Sequence, residues 1–271
     1  MTHFGWKIGF SFSTLDHNKG VSNTRTKEMP ALPDYSPVET LNHPEIAEYF
    51  SFGISVDCVV FGYDGKDVKV LLIERGTDPY LGFQAIPGDL VHPREDAVTA
   101  THRVLRDLTG LKDVYLEQLQ TFASVNRHPL GRVATIAYYS LLKIGDYNPR
   151  PSSWATAAQW TRIQDLGDMA FDHKEIFNAA LERLQTKVRQ KPIGFELLPE
   201  EFTLADLQHL YQTLLNTEFD KANFRKKILA MDLLIALDKT QKAVRHRPAR
   251  LYRFDPARYE ALSKRGFHFE L

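Results

Sequence analysis

Apolar residues recur at helical spacing in one stretch of the first half of the chain. Five of them fall on one face of a helix, at Ala97, Ala100, Val104, Leu105 and Leu108. Asp96 precedes the stretch, and its carboxylate can cap a helix start. Gly110 follows it, and glycine commonly ends a helix in a left-handed conformation. The pattern predicts a helix that begins at Ala97 and ends before Gly110.

Short β-rich runs lie on both sides of this helix. Residues 52–62 and 68–74 are joined by Asp64-Gly65, a dipeptide typical of hairpins. Three further strands are predicted at 115–125, 133–142 and 158–163. After them, Asp172 and Glu175 have the spacing of a capping box, which predicts a second helix that ends near residue 188.

The pattern changes after 191–194, where we predict a domain boundary. Thr203 and Asp206 form another capping-box pattern, and the helix that they open is predicted to end near residue 215. Asp220 can cap a second helix over 221–231, with Phe224, Ile228 and Met231 facing inward. Two short helices joined by so tight a turn indicate a helix-turn-helix.

A hairpin follows these two helices. Residues 232–237 and 249–254 can pair around a basic tip at 239–248, and Asp255-Pro256 then starts a short helix. A helix-turn-helix followed by such a hairpin is a winged helix by pattern. We predict this domain over 195–271, after an α/β (α+β) sandwich over 49–190.

Residues 1–48 are predicted to be poorly structured. They are polar, and four prolines between 30 and 44 discourage regular elements. Met29 is an alternative start, in which case the residues before it form an upstream extension.

Composition excludes several classes of protein. The 271 residues have a formal net charge of zero, so the whole-chain balance favours no polyanionic partner. Cys58 is the single cysteine and lies in an apolar run, which excludes an internal disulfide and predicts a core residue of a cytoplasmic protein. No apolar run approaches a membrane span, and no signal peptide is recognisable. The histidines have no ligand spacing, so no zinc site is expected.

The neutral total hides a basic region in the predicted winged helix. Residues 221–253 hold ten basic side chains and two acidic ones. Such a stripe is expected for contact with a phosphate backbone. A solvated basic surface is the alternative. The predicted DNA-binding residues are Lys221, Asn223, Arg225, Lys226 and Lys227 on the second helix, and Lys242, Arg245, Arg247 and Arg250 in the hairpin.

The stretch 87–111 resembles the Nudix box, the metal-binding loop and helix of the Nudix hydrolases. Without a gap, the family pattern places its first Glu on Glu95, its Arg on Arg103 and its closing Gly on Gly110. Two of its Glu positions fall on Val104 and Leu108, which cannot bind Mg²⁺. Glu95 and Asp107 alone make a poor metal site. The resemblance therefore implies a Nudix fold that has largely lost hydrolysis, with no catalytic residues and no cofactor.

If the old substrate cleft still binds a ligand, five residues are candidates for contact with it. They are Arg75, Glu95, Arg103, Asn126 and Arg127. Each arginine has an alternative role. Arg75 can be a solvated charge at a strand end, and Arg127 can lie in a solvated loop. Arg103 can pair with Glu95 and hold the box together, as similar residues do in the family.

A degenerate Nudix domain with this tail resembles the NrtR/AraR family of bacterial transcriptional regulators. The resemblance rests on tail segments such as 202–204, 207–211, 223–227 and 247–252. It implies a homodimer that binds a palindromic double-stranded DNA site and a small effector. The effector is ADP-ribose in one branch and a sugar in another, and 103–105, 107–111 and 192–195 look closer to the sugar branch.

Two other functions stay open. One is an active Mg²⁺-dependent Nudix hydrolase of a nucleoside diphosphate derivative such as ADP-ribose, with the tail as an accessory domain. The other is a protein-interaction module with a basic winged helix. Release of phosphate or AMP from ADP-ribose would favour the first, and absence of both specific DNA binding and effector binding would favour the second.

Overall fold

The computed structural model of this protein describes residues 51–241 and 248–271, apart from the side chain of Asp146. The segment 1–48, with its alternative start at Met29, lies outside these residues. Lys242, Arg245 and Arg247 of the predicted hairpin tip also lie outside them.

A mixed sheet of seven strands forms the first half of the described chain. The strands are β1 (Gly53–Tyr63), β2 (Val68–Arg75), β3 (Gln84–Ala85), β4 (Gly88–Leu90), β5 (Glu117–Phe122), β6 (Val133–Lys143) and β7 (Ala155–Arg162). The five longer strands match the predicted β-rich runs, although β5 is shorter than predicted and β7 begins earlier. The sequence pattern missed β3 and β4, because runs of two and three residues carry no periodicity.

β1 is the centre of this sheet. It pairs in parallel with β6 along its whole length, from Gly53 opposite Val133 to Tyr63 opposite Lys143. Its other edge is shared, since β2 pairs with its end and β4 pairs with its beginning. β2 also pairs with β3 and β7, and β5 pairs with β6. The beginning of β1 therefore lies beside the loop that contains the box.

Helices α1 (Ala97–Thr109) and α2 (His173–Gln190) cover the two faces of the sheet. Successive side chains of a strand point to opposite faces. Cys58 and Val60 accordingly pack in the same cluster as Leu105 of α1, whereas Val59 and Phe61 pack in the cluster that contains Ile176 of α2. Burial of Cys58 in this core is as predicted.

The predicted limits of α1 are confirmed. The Asp96 carboxylate accepts a hydrogen bond from the Thr99 backbone N–H, and Gly110 ends the helix at φ 75°. The backbone N–H of Gly110 donates to the carbonyl of Arg106. Local interactions therefore determine both ends of the box helix.

The predicted capping box of α2 is wrong, although the helix itself exists. Asp172 occupies the cap position, but its side chain makes no cap hydrogen bond. Both of its carboxylate oxygens instead accept from Arg127, at 2.8 Å each. A long-range ion pair has displaced the local capping interaction.

A winged helix follows, in the predicted order of elements. Its parts are α3 (Leu204–Leu215), α4 (Lys221–Ala230), β8 (Leu234–Thr240), β9 (Arg250–Phe254) and α5 (Pro256–Ser263). The capping box of α3 is confirmed, because Thr203 and Asp206 bond each other's backbone N–H groups. Asp220 caps α4 and Asp255 caps α5, as predicted. β8 pairs antiparallel with β9.

The winged helix shares a core with the sheet and α2. The described residues belong to one compact unit, and a single cluster of buried side chains includes Phe61 of β1, Leu184 of α2 and Tyr211 of α3. A ring nitrogen of His209 on α3 also lies 2.9 Å from the carbonyl oxygen of Lys66 in the β1–β2 turn. The predicted domain limits at 190 and 195 stay a prediction. In the described part of the chain, no helix is both long and apolar enough to cross a membrane.

Candidate functional site

Glu95 and Arg103 of the box bind each other. Arg103 donates from Nε to both carboxylate oxygens at 3.0 Å and from Nη2 to one of them at 2.6 Å. Its Nη2 also donates to the carbonyl of Leu90, which attaches β4 to α1. The bonds from Arg103 lower the pKa of Glu95 to about 2. The alternative role predicted for Arg103, to hold the loop and helix together, is confirmed.

The two residues that replace Glu in the box, Val104 and Leu108, are part of the core. Val104 and Leu108 are each 1 % exposed and pack with Val56, Ile73 and Tyr138 between α1 and the sheet. Their methyl groups fill the space in which a Nudix hydrolase would need carboxylates. A metal ion at this point would meet hydrocarbon, and not the hard oxygen ligands that Mg²⁺ requires.

The acidic residues that the box retains are dispersed. Glu95 is bound by Arg103, whereas the Asp107 carboxylate is exposed and paired with Arg106. Asp89 is not one of the family's acidic positions; its carboxylate lies 3.4 Å from the indole nitrogen of Trp154 and 3.9 Å from Nη1 of Arg103. Among residues 51–241 and 248–271, no group of three or more Asp, Glu, His or Cys side chains is arranged to hold a metal ion. The donor set therefore does not fit a catalytic Mg²⁺.

We expect Glu95→Gln to lower the free energy of unfolding by about 1 kcal/mol at neutral pH. The folded-state pKa of Glu95 lies below its ordinary value of about 4.3, so its contribution is complete above that pH. The contribution is lost as the pH falls towards about 2. Urea unfolding at about pH 7 and about pH 3 should show the difference between wild type and variant shrinking with acid.

Glu182→Gln is the matched control for this prediction, because Glu182 is exposed on α2. It should change stability by less than about 0.5 kcal/mol at either pH. A difference between wild type and Glu95→Gln that is the same at both pH values would contradict an ion-pair role.

A second polar cluster is buried where β1, β6 and α2 meet. Arg127 forms the pair with Asp172, and its Nη2 lies 3.5 Å from a carboxylate oxygen of Asp57. The other Asp57 oxygen is 3.4 Å from Nε2 of His173. Asp57, Arg127 and His173 are each less than a tenth exposed. Opposite charges at short range make this burial tolerable, whereas removal of one partner would leave an uncompensated charge.

Backbone contacts fix the geometry of this cluster. The backbone N–H of Ile86 donates to Nδ1 of His173 at 2.9 Å, so the proton of the neutral ring is on Nε2 and faces Asp57. Burial lowers the pKa of His173, which favours this neutral form. Gly88 lies against Asp57 so closely that a Cβ there would overlap the carboxylate. The box loop, β1 and the start of α2 are thus locked together.

Arg75, at the end of β2, is a buried cation without a carboxylate partner in the described residues. It is 8 % exposed, and its guanidinium carbon lies 4.9 Å from the ring centres of both Trp154 and Phe171. Its Nε donates to the carbonyl of Pro79 at 2.7 Å. Burial lowers the pKa of Arg75 and nearby carboxylates offset part of that effect, but an arginine stays charged. The guanidinium of Arg75 is therefore a buried positive charge whose direct neighbours are aromatic rings and a backbone carbonyl.

Aromatic rings form the rim around Arg75. His128 is stacked on Phe171 at 5.1 Å, and Tyr80 meets the same ring edge-on at 4.6 Å. Phe83 is 48 % exposed and lies 5.7 Å from Tyr80. Partly exposed rings beside a buried cation are suited to a ligand with both an anionic group and a flat ring system.

The five predicted effector residues divide between these sites. Arg75 lies at the centre of the aromatic rim, so the solvated-charge alternative is wrong for it. Arg127 is buried in its ion pairs, so the solvated-loop alternative is wrong for it as well. Glu95 and Arg103 are occupied by each other. Asn126 is exposed next to Arg127. Direct contact between any of the five and an effector stays a prediction.

Several residues around the cleft and in the buried cluster were not predicted as site residues: Asp57, Tyr80, Phe83, His128, Trp154, Phe171 and His173. One of them had a visible signal, because Asp57 is the only charged residue in the apolar run 52–62. A buried charge in a central strand is costly unless it has partners. Phe171 and His173 belong to the segment 171–173, which resembles the NrtR/AraR pattern, but the resemblance assigned them no role. The roles of the remaining residues depend on long-range contacts that no local pattern shows.

The exposed surface of α4 is basic. Phe224 and Ile228 are buried beneath it. The predicted DNA-binding residues of the helix, namely Lys221, Asn223, Arg225, Lys226 and Lys227, are all exposed. None of its four cations forms an ion pair with another described residue. The helix therefore presents unpaired positive charge to a partner.

The cations in the described part of the hairpin have partners. Lys239 pairs with Glu201 and Arg253 pairs with Glu200, although both glutamates lie outside the stretch 221–253. The Nε of Arg250 donates to the carbonyl of Leu237 across the hairpin. Among the described residues of 221–253, the positive charge is thus partly neutralised by these glutamates, and the cations without an ion-pair partner include all four on α4.

Similarity to known proteins covers both halves of the described chain. Residues 51–180 match the NUDIX domain family, and residues 194–254 match the family described as the NrtR DNA-binding winged helix domain. A protein of Acinetobacter baylyi named "ADPR responsive transcriptional repressor NtrR" is 31% identical over 215 residues, which are 77% of this chain and 84% of that protein. An "ADP-ribose pyrophosphatase" of Methanocaldococcus jannaschii is 30% identical over 128 residues, 47% of this chain and 72% of that protein.

Solved structures match over a similar extent. The crystal structure of Shewanella oneidensis NrtR complexed with a 27mer DNA superposes with a TM-score of 0.61 at 28% identity, and covers 80% of this chain and 97% of that chain. The structure of the same protein described without DNA has a TM-score of 0.61 at 30% identity, and covers 75% of this chain and 94% of that chain. The similarity thus extends over the sheet, α2 and the winged helix together.

Proposed function

This chain belongs to the NrtR family of Nudix-type transcriptional regulators, and from that premise we propose that it is a cytoplasmic, effector-responsive DNA-binding regulator. In this proposal α4 enters the major groove of double-stranded DNA, and the cleft around Arg75 binds the effector. Two winged helices of a homodimer would read the half-sites of a palindromic operator. The unpaired cations on the exposed face of α4 are the observation that supports DNA binding most directly.

We propose a nucleoside diphosphate derivative, with ADP-ribose as the first candidate, for the effector. A buried guanidinium with no carboxylate partner among the described residues favours a phosphate ligand, which arginine binds through two parallel hydrogen bonds. The rim of Tyr80, Phe83 and His128 favours a flat base beside it. A neutral sugar such as arabinose has no negative charge to compensate Arg75 and no flat ring to stack in the rim. The relative from Acinetobacter baylyi, named as ADPR responsive, supports the same choice.

Selection of DNA from a random duplex library tests the DNA half of this proposal. The protein should enrich a palindromic sequence, and its affinity for that sequence should exceed its affinity for scrambled duplex by about 10³-fold or more. Enrichment of no sequence would contradict it, and would favour the protein-interaction alternative.

We expect no appreciable hydrolysis of ADP-ribose with Mg²⁺ or Mn²⁺. The likeness to an ADP-ribose pyrophosphatase keeps hydrolysis as the second candidate function. The buried Val104 and Leu108 oppose it, because they replace two of the carboxylates that would hold the metal. The measurement is release of AMP from ADP-ribose over a long incubation. Turnover on the order of 1 per second that disappears in Glu95→Gln would contradict the expectation.

A further inference from the structure

Helix α2 connects the proposed effector cleft with the winged helix. It has 18 residues and is therefore about 27 Å long. Its first residue, His173, belongs to the buried polar cluster beside the cleft. Leu184 and Val188 near its other end pack in the core cluster that contains Leu207 and Leu210 of α3. A single helix thus contacts both sites.

The cleft end of α2 is held in a strained conformation. Phe171 has a positive φ of 53°, which is costly for a bulky residue. Its ring forms one side of the Arg75 site, and the next residue is Asp172, whose carboxylate is bound by Arg127. A ligand bound to Arg75 would therefore lie beside the Phe171 ring. Phe171 is in turn bonded through the backbone to Asp172, which links it to Arg127 and to the start of α2.

The other end of α2 contacts the helix-turn-helix at its turn. The side-chain amide of Gln185 donates to the carbonyl of Leu214 at 3.3 Å. Leu214 lies in the last turn of α3, where carbonyls lack partners within their own helix. The chain then turns at Asn216, in a left-handed conformation, and enters α4 five residues later. Gln185 is thus attached immediately before the turn that orients α4.

The middle of α2 is packed in the core. Ile176, Phe177 and Ala180 are buried, and the Phe177 ring lies 5.8 Å from that of Phe61 in β1. A packed helix shifts as a unit, because close-packed interiors do not deform continuously. A movement at residues 171–173 would then displace Gln185 as well.

We propose that α2 transmits effector binding to α4, and that Arg127, Asp172 and Gln185 are the positioning residues of this connection. This inference rests on the proposed function and adds the path by which effector binding reaches the DNA-binding helix. Arg127 acts through Asp172 and not by contact with the effector, because its guanidinium is buried in the ion pairs. If either the Arg127–Asp172 pair or the hydrogen bond from Gln185 to Leu214 is lost, the effector and DNA should each still bind. Neither ligand should then change the affinity for the other.

Asp172→Asn tests the cleft end. It keeps the shape of the side chain and removes the charge that Arg127 binds. The quantity to measure is the coupling ratio, which is the DNA Kd at saturating ADP-ribose divided by the Kd without it, on a duplex selected by the wild type. Coupling in allosteric proteins is typically about 5–150-fold, and we expect the variant's ratio to fall to within about twofold of one. Asp165→Asn is the matched control, since it breaks the exposed Arg162–Asp165 pair and should keep the wild-type ratio.

Gln185→Ala tests the other end and decides the outcome if Asp172→Asn does not fold or does not bind ADP-ribose. Its matched control is Gln190→Ala, at an exposed position of the same helix. We expect Gln185→Ala to bind ADP-ribose and DNA separately with Kd values within about threefold of wild type, while its coupling ratio approaches one. A merely structural role would not change that ratio.

Two results would overturn the inference, and they are distinguishable. In the first, ADP-ribose changes the DNA Kd of the wild type, and the folded variants that bind both ligands have the same coupling ratio as the wild type. The effect of the effector then does not pass through α2, although the proposed function stands. If the wild type itself has a ratio of one, the proposed function fails and the route fails with it.

Discussion

Replacement of Arg225, Lys226 and Lys227 by alanine together should weaken binding to the selected operator by about 100- to 1000-fold at physiological salt. The three side chains are exposed on α4, and none of them has an ion-pair partner among the described residues. Each released phosphate contact should also reduce the slope of log K against log salt by about one unit. Fluorescence anisotropy with a labelled duplex over a series of salt concentrations gives both quantities.

A matched control removes the same charge elsewhere. Lys112, Lys143 and Arg183 are exposed on the sheet and its helices, so their triple replacement by alanine should leave operator affinity within about threefold of wild type. An intact operator affinity in the α4 variant would show that α4 is not the recognition helix.

Contacts from α4 to bases should be distinguishable from its electrostatic attraction to the phosphate backbone. Asn223→Ala or Arg225→Ala should cost roughly 1–3 kcal/mol on the operator and relax its sequence preference, because asparagine and arginine can read adenine and guanine. Lys227→Ala should weaken binding to the operator and to scrambled duplex alike. Equal losses on both duplexes for Asn223→Ala would contradict a base contact.

The second large effect is expected at Arg75. Arg75→Met should weaken ADP-ribose binding by about 100-fold, because charge-assisted hydrogen bonds to phosphate are worth roughly 1.5–3 kcal/mol each. Methionine retains an apolar side chain between Trp154 and Phe171, so the fold should be at least as stable without the unpaired cation. Isothermal titration calorimetry gives the affinity, and thermal unfolding gives the stability.

Weaker ADP-ribose binding together with undiminished stability of Arg75→Met would identify Arg75 as a ligand-binding residue. Arg75→Lys keeps the charge but loses the planar fork, and we expect an intermediate affinity. Arg162→Ala on β7 removes an exposed arginine and should not change ADP-ribose binding. Unchanged affinity in Arg75→Met would contradict the assignment of the effector cleft.

Local interactions explain why so much of the fold could be predicted. The caps at Asp96, Thr203 and Asp220 join residues three apart, and the predicted helices begin where these caps form. The winged helix followed from such signals and from hydrophobic periodicity alone. Interactions between residues that are close in the chain can therefore be predicted from the sequence.

The effector cleft depends on contacts that no local pattern contains. Arg127 meets Asp57 because β1 and β6 pair in parallel, although 70 residues separate the two along the chain. The same Arg127 removed Asp172 from its predicted capping role. Arg75 was a ligand candidate from the sequence, but only the positions of Trp154 and Phe171 on either side of it exclude the alternative of a solvated charge. These relations required the three-dimensional structure.

The most direct test of the whole account is DNA binding by the wild-type protein with and without ADP-ribose. The Kd for the selected operator should change by about fivefold or more at saturating ADP-ribose, and by less than about twofold with arabinose at the same concentration. AMP formation should be followed in the same samples, so that binding and hydrolysis are not confused. An operator affinity that is unaffected by ADP-ribose, in protein that binds the operator specifically, would contradict the account.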